Sequence, residues 1–65
     1  MVRVKVKFSV RTNGVVRHEE METQVDRATL GKARGDNGRR ELAAWAKNFF
    51  PTAEWARVTE MREIK

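Results

Sequence analysis

The chain contains no cysteine in 65 residues. That excludes a disulfide staple and a thiolate metal site, so stability must come from one small core or from an oligomer. One histidine and scattered carboxylates give no spacing suited to zinc or calcium, and no metal or cofactor is expected. No apolar run approaches membrane-spanning length, and the N-terminus lacks the apolar segment of a signal peptide. These absences lead to the expectation of a soluble, cytoplasmic protein that engages no membrane. Catalytic groups are equally scarce. Ser9 is the one serine and His18 the one histidine, with no positioned acid behind them, so the third member of a triad is missing. Gly31-Lys32-Ala33-Arg34-Gly35-Asp36-Asn37-Gly38 is rich in glycine and base, yet no Gly-Lys-Ser/Thr makes it a P-loop. The expectation is a protein that is not an enzyme.

What the chain does have is a hairpin signal. Val2, Val4, Val6, Phe8 and Val10 alternate with Arg3, Lys5, Lys7, Ser9 and Arg11, the period-2 pattern of a half-buried strand. Asn13-Gly14 supplies the central residues of a type I′ turn. A two-residue loop makes the position numbers of facing residues sum to 27. Lys7 then faces Glu20, Lys5 faces Glu22 and Ser9 faces His18 on one surface; Val6 faces Met21 and Val2 faces Val25 on the other. A slip of one residue breaks both ion pairs and turns the valines to water.

Beyond the hairpin, Asp26 stands at an N-cap position before a short helical turn near 27–34, which Gly31 weakens. The 35–38 cluster is a breaker, and a helix is predicted over about 39–50, ended by Pro51. Leu42, Trp45, Ala46 and Phe49 form its apolar stripe. Leu30 lies about 120° around a helix from Leu42, so two helices are expected over 27–50 rather than one. Residues 53–64 are ambiguous. Their spacing by three suggests a helix that drifts in phase, and their strand alternation is also imperfect. Topology favours a third strand, because a two-stranded hairpin with one helix is a weak domain. The predicted fold is α+β: a single domain over 1–65, ββαβ, with a three-stranded antiparallel sheet in order 2-1-3 and one face covered by the helix. A helical C-terminus is the alternative.

The net charge is +5 and unevenly spread. Residues 1–17 hold five bases and no acid, residues 18–25 hold three acids, and residues 26–40 hold five bases against two acids. Such a chain is drawn to polyanions. The expected binding residues are Arg3, Arg11, Lys32, Arg34, Arg39, Arg40 and Trp55. The arginines lack an acid directly opposite in the predicted register, arginine's planar fork suits phosphate, and Trp55 offers a ring for base stacking. A helix-turn-helix is not supported, since the first helix is short and nearly devoid of apolar residues. Expected partners are nucleic acid or an intracellular nucleoprotein or protein complex, with a homodimer also among the candidates.

The basic N-terminal hairpin, the passage Val25-Asp26-Arg27-Ala28-Thr29-Leu30 into helix and the passage Pro51-Thr52-Ala53-Glu54-Trp55 into a last strand are one layout. It resembles that of small phage- or prophage-encoded proteins, some of them anti-CRISPR or other anti-defence inhibitors. The resemblance covers nearly the whole chain, rests on architecture and transfers no functional residue. It implies a protein-protein inhibitor of a host defence complex, acting by binding a nucleoprotein machine.

Overall fold

Alternating valines and an Asn-Gly turn produce the first two strands in the computed structural model, which describes residues 1–64. Strands β1 (Val2–Thr12) and β2 (Val15–Val25) are antiparallel. Asn13 and Gly14 both take positive φ, 53° and 77°, as a type I′ turn requires. The register is the predicted one: Lys7 faces Glu20, Val6 faces Met21 and Val2 faces Val25. Three short helices follow, α1 (Arg27–Lys32), α2 (Asp36–Glu41) and α3 (Ala43–Lys47), and then strand β3 (Trp55–Glu63). Sheet order is β2-β1-β3, so the valine-rich strand is central and the fold is α+β.

β3 resolves the ambiguity of residues 53–64. Lys7 faces Glu60 but Phe8 faces Val58, so Thr59 is an extra residue in a bulge, and its hydroxyl donates to the Lys7 carbonyl at 3.0 Å. A bulge shifts side-chain parity by one. Ala56, Val58 and Met61 therefore all turn inward, although their spacing of two and then three fits no regular strand.

The helical layer departs from expectation. The expected break between two helices is present but falls at 33–35; Asp36, Asn37 and Gly38 form the first turn of α2, with Gly35 as its N-cap. The predicted helix over 39–50 is instead two pieces that share Leu42, whose ψ of 1° interrupts the helical run. Its amide is shared between the Gly38 and Arg39 carbonyls. α3 then stops at Lys47, well before Pro51, in tighter turns: the amides of Asn48, Phe49 and Phe50 each bond three residues back. Three residues per turn advances the phase faster than 3.6 does. Phe49 of the predicted stripe packs against Phe8 and Trp45 but stays 37% exposed, and Phe50, outside the stripe, also turns onto the core.

One sheet face is buried under these helices. Val4, Val6, Phe8 and Val10 are fully enclosed, joined by Val25, Leu30, Leu42, Ala46 and Val58. Phe8 is the hub: Phe50 meets it edge-on with ring centroids 5.2 Å apart, and Trp45 and Phe49 tilt against it. The helices pack chiefly on the β3 side, while β2 packs against β1 alone among the larger contacts. Among the described residues, no second layer covers the opposite sheet face. No helix among the described residues is long and apolar enough to cross a membrane.

Candidate polyanion-binding surface

The uncovered sheet face holds the odd-numbered side chains of β1, and most of its cations are matched by acids. Lys5 and Lys7 were expected to pair with the acids directly opposite. The pairs form differently: Lys5 reaches Glu20 at 3.3 Å, Arg3 reaches Glu22 at 3.2 Å, and Lys7 turns to Glu60 on β3 at 3.5 Å. Strand twist brings diagonal neighbours within range of long side chains, and both β2 pairs slide in the same sense. Arg11 is held by Glu54, which precedes β3, at 2.9 Å. The Glu54 amide also donates to the Arg11 carbonyl at 2.7 Å, so this pair fixes the chain on its way into the strand. Ser9 Oγ and His18 Nδ1 lie 3.2 Å apart, exposed, as the register predicts. No group of three or more metal-ligating side chains gathers among the described residues.

No acid stands directly opposite Arg3 or Arg11, as expected, but Glu22 and Glu54 reach them from other positions, and Arg39 is paired as well. The Arg39 guanidinium binds the Asp36 carboxylate three residues earlier and donates through Nη1 to the Ala33 carbonyl at 3.0 Å. Its side chain is only 28% exposed. It is a strut between α2 and the end of α1. Lys32 lies 3.8 Å from Glu41, linking the same two helices. Arg34 lies in the α1–α2 connection and Arg40 on α2, both exposed and without an ion-pair partner among the described residues.

Sequence reasoning missed Arg57. It follows Trp55 by two residues, so the two share a face of β3, and its guanidinium carbon sits 4.7 Å above the indole centroid. That contact covers one face of the ring assigned to base stacking. The Trp-x-Arg spacing was the available signal, but it carries weight only once residues 53–64 are known to be a strand. Arg57 has no acidic partner among the described residues. With Val58 it lines a groove against Asp36, Arg39, Arg40 and Ala43 of the helical layer. Arg40 and Arg57, neither of them ion-paired, both line this groove, with the Arg57 guanidinium turned to Trp55 on the Ser9–Arg11 face of the sheet, and Asp36, the groove's one acid, is already bound to Arg39. Of the seven predicted residues, Arg39 and Arg40 line this groove themselves and Trp55 borders it through Arg57. Arg3 and Arg11 lie on the uncovered sheet face.

One titration is displaced. The Thr29 amide donates to the Asp26 carboxylate at 2.7 Å and holds its pKa below the ordinary carboxyl value. This is a helix cap and belongs to the fold.

Comparison of the chain with known protein families, with curated proteins and with solved structures finds no match.

Proposed function

We propose that this protein is a small, basic, non-catalytic module that binds the phosphate backbone of nucleic acid, free or within a nucleoprotein complex, through arginines of the α2–β3 side. The reading rests on one observation: Arg40 and Arg57, neither of them ion-paired, line a single groove whose one acid is bound to Arg39. An arginine fork bonds a phosphate in two parallel hydrogen bonds, and a guanidinium stacked on an indole offers a flat cationic plane to a nucleobase. Arg34 extends the same layer of charge. Arg39 contributes by holding α2, and Arg3 and Arg11 contribute little because their charge is already matched.

The test is a salt titration of binding to single- and double-stranded oligonucleotides. The R40A/R57A variant should keep its fold, bind more weakly and show a salt slope flatter by about 0.9 per lost duplex contact. Wild type that binds no oligonucleotide at low salt refutes the reading.

A second reading is favoured by the uncovered sheet face, whose ion-paired columns of opposite charge suit a protein surface better than a polyanion. It is the inhibitor of a host defence complex that the sequence layout resembles. It predicts capture of a protein complex that survives nuclease treatment and loss of capture when that face is altered.

A further inference from the structure

We propose that the free edge of β2 pairs with the β2 edge of a second copy of this chain, antiparallel about a two-fold axis at His18, to form a continuous six-stranded sheet. The inference is independent of the polyanion reading. β2 is an edge strand of 11 residues with no proline and no bulge, and edge strands of that length present a row of unpaired backbone groups. Charged side chains blunt such edges against indiscriminate pairing, and Arg17, Glu19, Glu20 and Glu22 do so here, so a partner strand must match their charges; beside them Val15 and Val16 are 60% and 50% exposed.

The backbone pattern fixes which registers are allowed. A two-residue hairpin closes on a hydrogen-bonded pair, here Thr12 with Val15. Odd-numbered residues of β2 therefore bond to β1, and Val16, His18, Glu20, Glu22 and Gln24 point their amides and carbonyls at the free edge. The carbonyls of Arg3, Lys7 and Arg11, which accept from the β3 side, follow the same alternation. A symmetric antiparallel pair must then match even residues with even ones, which puts the axis on a residue. An axis at Arg17, Glu19, Glu20 or Glu22 sets that charged residue against itself, and an axis at Met21 sets Glu20 against Glu22. An axis at His18 does neither. It pairs Arg17 of each copy with Glu19 of the other, two groups that within one copy already lie 3.5 Å apart, and the exposed Val15 with the half-buried Met21, all on the helix-bearing face of the sheet. The order Val15, Arg17, Glu19, Met21 is self-complementary when read against its own reverse.

Sedimentation of the full chain over about 1 µM to about 1 mM tests this. Wild type should approach twice its 7.6 kDa mass as concentration rises. R17E and E19R each turn both symmetry-related attractions into repulsions, and each should raise the dimer dissociation constant by about tenfold or more. The double variant R17E/E19R restores opposite charges and should dimerise like wild type. Wild type that stays monomeric at the highest concentration overturns the proposal, and so does a double variant no better than the singles. Should a charge variant fail to fold, H18C decides, because the chain has no other thiol. Facing residues of a hydrogen-bonded pair lie about 5.5 Å apart, within disulfide reach. H18C should oxidise to a cross-linked dimer much faster than R27C on α1; equal rates overturn the proposal.

Discussion

Replacing Gly38 with alanine should reverse the usual effect of removing a helical glycine. Within a helix, glycine costs about 0.5–1 kcal/mol relative to alanine, because its backbone loses more freedom on folding. Gly31 in α1 follows that rule: a Cβ there meets nothing within 4 Å. G31A should therefore gain about 0.5–1 kcal/mol, worth roughly 2–8 °C in melting temperature for a domain of this size. At Gly38 a Cβ falls on the Lys32 carbonyl oxygen, 2.6 Å from its carbon and 2.8 Å from the Lys32 Cα. Carbon atoms rest at about 3.5–4.0 Å, so α2 must retreat by about 1 Å from the end of α1. The obstructing atoms are backbone, and no rotamer change relieves them. Overpacking of this kind costs about 1–3 kcal/mol, which outweighs the helical gain and leaves a net loss near 1–2 kcal/mol. Thermal unfolding followed by circular dichroism should show G38A melting about 5–15 °C below wild type and G31A above it. The retreat also strains the Arg39 contact to the Ala33 carbonyl, which spans the same corner. A G38A protein that melts at or above wild type refutes the close approach of α1 and α2 at this point.

F8A should cost about 3–5 kcal/mol and, in a chain this small, abolish the folded state, because Phe8 is fully enclosed under Trp45, Phe49 and Phe50. W45A should cost less than F8A, since Trp45 is only partly buried, as chemical denaturation of the two variants would show. The Asp26 cap predicts an acid-side loss. Its folded pKa lies below the ordinary carboxyl value, so the cap's contribution is present above that value and fades as pH falls through the folded pKa. The stability difference between wild type and D26A should hold steady at neutral pH and shrink at acid pH; a difference that grows on acidification contradicts the cap.

Local pattern determined most of the hairpin. Period-2 valines, the Asn13-Gly14 turn and the core's demand for one buried face leave a single register, and each constraint acts between residues near in sequence or joined by a tight turn. The third strand and the order 2-1-3 followed from topology alone, since no pattern within 53–64 announces a strand. What the chain could not reveal by itself was decided over distance. The Thr59 bulge, which turns Met61 inward, is defined by its pairing with Lys7, 52 residues away. The break at Leu42 and the addition of Phe50 beside Phe49 come from how a short helical layer fits over Phe8, and helix periodicity carries no information about that fit. The candidate site depends on the same distinction. Sequence counts the arginines but not all their partners: Asp36 meets Arg39 at i,i+3 within α2, but Glu54 neutralises Arg11 only once the chain folds back, and Arg40 and Arg57 line one groove that exists only where α2 packs against β3. Charge acts through space, so which cations stay free is a property of the tertiary structure.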